Sequence, residues 1–192
     1  GNMNAITYKE VFPLIKDNKV WLGATNFNVG MYFFVPKGFV YKDSYKFIRE
    51  MDGKAVNRVP GVCWYSNIEH GRRHEPLALM SMADNLRFSK HKELKGKTAY
   101  DRYDNYDAIE VPFTDAIPAD YDGVMGVPIS FLDKYCPEQF EILGISLELG
   151  TKKPDNLPKE KQGGPAFYIK MGTDYNRMYC RLAIRRKLTI DN

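Results

Sequence analysis

His70 and His74 stand four residues apart, with Glu75 beside the second and Cys63 a short way upstream. Imidazole and thiolate are transition-metal ligands, so a metal site is the first chemistry these residues suggest. The order His-Glu-x-x-His is missing, because Pro76 follows Glu75 with no histidine behind it. Imidazoles that hydrogen-bond or touch phosphate fit the spacing better. Asn67, His70, Arg72 and Arg73 follow an apolar run, where the edge of a sheet would open into a loop. Loops held by a scaffold carry binding groups, and guanidinium forks match phosphate oxygens and guanine edges. The alternative is a solvated loop with ion pairs to Glu69 and Glu75.

A second constellation is acidic: Asp101, Asp104, Asp107, Glu110, Asp115, Asp120 and Asp122. Paired carboxylates perform acid–base catalysis or hold Mg²⁺. Here the spacing is irregular, and Asp120-Tyr121-Asp122-Gly123 reads as a turn, so structural turns and salt bridges are the expectation. Gly123-x-x-Gly126 is too short for a phosphate loop or dinucleotide fingerprint. No nucleophile elbow or triad pattern is present, which leaves hydrolase chemistry without support.

The elements that position these groups must come from one chain of 192 residues, 44% hydrophobic and 27% charged, enough for a packed core and against general disorder. The net charge of +4 is only mildly basic. Its distribution is more telling: cations crowd Arg72 to Arg102 and again Arg177 to Lys187, with the acidic series between them. Three separated cysteines without a CxxC pair make a disulfide framework or structural zinc unexpected. No apolar stretch is long enough to span a bilayer and no signal pattern opens the chain, so a soluble cytoplasmic protein is expected, without membrane partners. A first residue of Gly1 hints at a fragment.

Thr7 and Glu10 have capping-box spacing, with Ile6 and Val11 as a staple, which predicts a helix from Tyr8, kinked at Pro13. Val20–Leu22 and Met31–Val35 predict buried strands of the closing edge of an α/β sheet, joined by a polar loop from Gly23 to Gly30. Asp52-Gly53 predicts a type I′ hairpin between 46–49 and 55–59, with a helix over 44–51 as the competing reading. Pro60-Gly61 then breaks the chain before Val62–Tyr65. Short helices are expected around 76–86 and 129–134, and strands over 107–111 and 140–149. Residues 151–165 read as a mobile loop. A final hairpin, 166–171 with 177–187, places Met178, Cys180, Leu182 and Ile184 on a core face. Arg177, Tyr179, Arg181 and Arg185 then make a basic ribbon on the other.

Several segments in order carry a family likeness: Asn4 to Glu10, Trp21-Leu22-Gly23, Trp64 to Glu75, Tyr103 to Ile109 and Tyr121 to Leu132. On them the chain resembles the C-terminal part of EcoRI-type adenine-specific DNA methyltransferases. The resemblance implies an α/β parent, α+β as an isolated chain. Residues 1–40 would close a Rossmann-like catalytic sheet, and 41–192 would form a mostly β target-recognition region. It implies transfer of a methyl group from S-adenosylmethionine to the N6 amino group of an extruded adenine in double-stranded DNA, in a restriction-modification setting. The glycine-rich cofactor loop and the Asn-Pro-Pro-aromatic motif of such enzymes are absent from these residues. The isolated chain is therefore expected to be inactive, with its cofactor site mostly elsewhere and an N-terminal catalytic half as partner. By order, Gly23 to Gly30 matches the loop that approaches the extruded base, with Phe27 to stack and Asn26 or Asn28 to hydrogen-bond. Asn67, His70, Arg72, Arg73, Arg177, Arg181 and Arg185 would contact DNA. The competing readings are a non-catalytic nucleic-acid-binding module and a protein-association domain of a mobile element.

Overall fold

The computed structural model describes residues 3–27, 30–39 and 48–187, with backbone alone at 25–27 and 48. The chain opens with a 3-10 turn, Met3–Thr7, and the first α-helix (α1) is Phe12–Lys16. This corrects the helix expected from Tyr8. Thr7 donates its hydroxyl to the Asn4 carbonyl (2.8 Å) and caps nothing. Pro13 sits in the first turn of α1, where its missing N–H and fixed φ cost little, so it marks the start of the helix and does not kink it.

Strand β1 is Trp21–Phe27 and β2 is Met31–Phe34. They do not flank an open polar loop as expected, because residues 23–27 are already strand; Asn28 lies outside the described residues. Gly30, just before β2, has φ +81°, and an added Cβ there would meet the Val59 carbonyl oxygen at 2.9 Å. The Asp52-Gly53 hairpin is present, joining β3 (Ile48–Met51) to β4 (Lys54–Val59), and the competing helix is not formed. Both turn residues have positive φ, 51° and 70°, as a type I′ turn requires. After Pro60-Gly61, with Gly61 at φ 64°, comes β5, Val62–Ser66.

Pairing corrects the expected neighbourhood. β1 pairs antiparallel with β5, and β2 with β4, which also pairs with β3. The two ladders belong to separate sheets, β1–β5 and β2–β4–β3. The first is anchored by Leu22 and Cys63 in the main core. The outer sheet, β2–β4–β3, has one buried side chain among those described, Val56. The buried strand expected at 31–35 is thus mostly solvent-facing.

Beyond β5, a 3-10 turn (Gly71–His74) and α2 (Met82–Phe88) lead to β6 (Ile109–Glu110), β7 (Met125–Pro128), a 3-10 helix at Ile129–Lys134 and β8 (Phe140–Ile145). Ser81 caps α2 by accepting from the Asp84 amide. The single turn α3, Ser146–Leu149, replaces the end of the strand expected to 149.

The last strands depart most from expectation. β9 (Tyr168–Met171) pairs with β10 (Asp174–Arg177), whereas β11 (Arg181–Arg186) leaves that hairpin and becomes an inner strand of the sheet β6-β7-β11-β8. Leu182 and Ile184 enter the main core with Met125, Val127, Phe131 and Phe140, and Ala183 enters a second core with Tyr103, Phe167 and Ile169. On the other face Arg181 and Ala183 are covered while Arg185 stays exposed, so the expected continuous basic ribbon is interrupted. The loop 151–165 is tied down by Leu157, which is buried with Ala166, Tyr168 and Tyr175. These elements make a mixed α/β chain with few helices, consistent with α+β. No described helix is long and apolar enough to cross a membrane.

Candidate nucleic-acid interface

The turn Gly71–His74 follows β5 after a four-residue link, and its side chains reach back to the β1–β5 ladder. Arg73 is only 6% exposed. Its guanidinium lies 3.7 Å from the Trp21 ring centroid, donates to Glu69 (2.6 Å) and also bonds the Asn18 side-chain oxygen. Asn18 is placed for this by its left-handed backbone, φ 56°, at the end of α1. Stacking with two polar partners is the geometry that lets an arginine be buried. Trp21 is held in turn by its indole N–H donating to the Ile68 carbonyl, 3.0 Å.

His70 shares a 2.9 Å hydrogen bond between Nε2 and the Leu22 carbonyl, which makes Nε2 the protonated nitrogen. Arg72 donates to the Ala24 carbonyl (2.9 Å) and to Asp133 (3.0 Å), and 39% of its side chain stays exposed. His74 bridges Glu138 at 2.8 Å and Glu69 at 2.9 Å. Those two hydrogen bonds raise its pKa, Glu138 contributing most. Asn67 is exposed.

The arginines near the C-terminus are divided. Arg177, on β10, is exposed and donates to the Gly164 carbonyl at 3.3 Å. Arg185 pairs with Glu141 at 2.6 Å and is 47% exposed. Arg181 is 12% exposed and grips Glu110, itself 6% exposed, through Nε and Nη2 at 3.0 and 2.8 Å. The Tyr103 hydroxyl donates to the same carboxylate. Burial, and then the Glu110 charge, push the Tyr103 phenol far above its ordinary pKa. Burial disfavours the Arg181 charge, but hydrogen bonding and charge from Glu110 outweigh it and hold the guanidinium protonated. Gly126 makes this possible, since a Cβ there would collide with the Tyr103 ring and hydroxyl.

Apart from Asp104, whose backbone N–H donates to the Tyr168 carbonyl, the carboxylates of the acidic series have structural partners. Asp101 pairs with Lys97, Asp107 with Arg102, Asp115 with His91 and Asp122 with Arg186. Asp120 accepts from the Met82 amide at 2.7 Å. Above the Glu110–Arg181 pair opens a groove of about 850 Å³, walled by cations and carboxylates alike, Lys92, Lys97 and Lys170 with Glu93 and Asp101, and by Phe113. Lys92 and Lys97 belong to the basic stretch 72–102, whereas Lys170 comes from β9, a neighbour that no local pattern announced. The proposed base-pocket residues Asn26 and Phe27 lie on β1 by backbone, and their side chains, like Asn28, are outside the described residues. Sequence reasoning missed the face of β2–β4–β3 that carries Tyr32, Phe34, Arg49 and Lys54; alternation on either side of Asp52-Gly53 was the available signal.

An S-adenosylmethionine site needs a strand whose carboxyl end leads through a glycine-rich turn to a helix N-terminus. Among the described residues no strand does so. The parallel pair β6–β7 is two residues deep, and β7 passes through Pro128 straight into the 3-10 helix. These residues do not fit the cofactor.

No solved structure matches the chain. Curated relatives do. Type II methyltransferase M.EcoRI of Escherichia coli is 43% identical over 148 residues, 74% of this chain and 40% of that protein. Type II methyltransferase M.MpnI of Mycoplasma pneumoniae (strain ATCC 29342 / M129 / Subtype 1) is 33% identical over 145 residues, 74% of this chain and 42% of that protein. Type II methyltransferase M.MgeORF184P of Mycoplasma genitalium (strain ATCC 33530 / DSM 19775 / NCTC 10195 / G37) is 30% identical over 188 residues, 95% of this chain and 54% of that protein. The chain thus spans about half the length of the relatives it matches. The model of the family described as adenine-specific methyltransferase EcoRI matches residues 1–187, and the chain therefore belongs to that family.

Proposed function

We propose that this chain supplies DNA-contacting surface to an S-adenosylmethionine-dependent DNA adenine-N6 methyltransferase of restriction-modification type. Its substrate is double-stranded DNA, and the transfer chemistry depends on residues outside these 192. The observation that carries the reading is the family match across residues 1–187, in a chain whose described residues form no cofactor cradle. Exposed Asn67, Arg72, Arg177 and Arg185 serve as phosphate or base contacts on this reading. Arg73 and Arg181 stiffen the scaffold beneath them. The division into a catalytic-sheet edge, 1–40, and a recognition region, 41–192, is one of role and not of folding, since the β1–β5 and β2–β4 ladders bridge it.

The test has two arms. Labelled methyl transfer to duplex DNA by this chain alone should stay at background, and turnover would overturn the assignment of chemistry elsewhere. Arg72→Ala should weaken duplex binding and flatten its salt dependence by about 0.9 in log–log slope, the value for one phosphate contact. An unchanged slope would remove Arg72 from the interface.

A further inference from the structure

The outer sheet β2–β4–β3 contributes little to the core, yet its side chains are sorted. In antiparallel ladders, paired residues share a face and successive residues alternate. Tyr32 pairs with Arg58, Phe34 and Arg49 both pair with Val56, and Met51 pairs with Lys54. All seven therefore lie on one face. Lys54 Nζ stands 5.4 Å from the Phe34 ring centroid, which agrees with that placement. The only carboxylate in these strands, Glu50, pairs with Ala55 on the opposite face. Among the described residues of these strands, this face thus carries the exposed Arg49 and Lys54 and no carboxylate, interleaved with Tyr32 and Phe34, 43% and 66% exposed.

We propose that this face docks on duplex DNA, its cations on phosphates and its rings against sugars and base edges; the proposal rests on the functional reading above and names a surface for it. Charge complementarity selects the occupant. A second copy laid face to face would oppose cation to cation, and an apolar protein surface would strip water from them without recompense. A polyanion neutralises them and leaves the rings to pack.

Duplex binding by the full chain is measured over a salt series. The Arg49→Ala/Lys54→Ala double variant should lose about 1.8 of the log–log slope, two phosphates' worth, and bind at least tenfold more weakly. Glu50→Gln, on the other face, should leave the slope intact. Lysine acetylation footprinting of the unmutated chain adds an arm free of folding defects, with duplex DNA protecting Lys54 but not Lys9. An intact slope in the double variant, an unprotected Lys54, or an altered oligomeric state with unaltered DNA binding overturns the proposal. If the unmutated chain fails to bind duplex DNA, the functional reading falls first. If it binds and only Arg72→Ala weakens it, this proposal alone falls.

Discussion

Replacing Arg181 with alanine would leave Glu110 in the floor of the sheet, 5% exposed, with the Tyr103 hydroxyl as its remaining partner. An uncompensated buried charge of this kind costs about 3–5 kcal/mol when its partner is removed. Domains are stable by only about 5–15 kcal/mol, so the loss is a third or more of the total in most cases. For a chain of this size it lowers Tm by roughly 6–20 °C. Urea unfolding gives the loss directly as a shift in midpoint at constant m. A double-mutant cycle adds specificity: Glu110→Leu with Arg181→Met should recover most of the stability, because a buried pair exchanged for apolar groups of like volume is often neutral. If Arg181→Ala changes stability by less than about 0.5 kcal/mol, the range of ordinary surface substitutions, while abolishing DNA binding, the scaffold role is refuted.

Other outcomes follow from the same geometry. Gly126→Ala should destabilise by about 1–3 kcal/mol, the usual cost of overpacking, because its Cβ meets the Tyr103 ring; calorimetric Tm reads it, and an unchanged Tm would contradict the contact. His74 has a raised pKa, so its stabilisation is complete below the ordinary imidazole value and is lost as pH rises through the raised folded value. Desolvation pushes Glu69 and Glu138 upward, but hydrogen bonds, from His74 to Glu69 and from Cys136 and His74 to Glu138, bring both below their ordinary value, so their share is lost on acidification. The Tm difference between the unmutated chain and His74→Gln, followed from about pH 4 to 9, should peak between those limits, and a difference that grows toward alkaline pH would contradict the bridge. Gly30→Ala should cost about 1–2 kcal/mol through its left-handed backbone and the Val59 carbonyl, measured by urea midpoint, and a neutral result would contradict that contact.

What the sequence made legible was local. Asp52-Gly53 announced its turn because positive φ at both positions narrows the choice of residues, and the 3-10 helix at Ile129–Lys134 fell where expected. Partners distant in sequence were not legible. Alternation along β11 correctly put Leu182 and Ile184 on one face, but could not show that the other face is roofed by a second core. Arg181 therefore looked like a surface cation until folding brought Glu110 to it across 71 residues. Arg73 was legible in part, since its ion pair to Glu69 was the stated alternative, but its stacking partner Trp21 lies on β1 and its other hydrogen-bond partner Asn18 at the end of α1. The strand pairings β1–β5 and β2–β4 were hidden because several apolar runs of similar length could exchange places with little change in local preference.

The central claim is that these residues hold duplex DNA while the methyl-transfer chemistry lies beyond them. Equilibrium affinity of the chain for duplex DNA, measured across a salt series, tests it most directly. The account predicts binding that weakens steeply with salt, in proportion to the phosphates engaged. Absence of binding at low salt, or an affinity indifferent to salt, would contradict it.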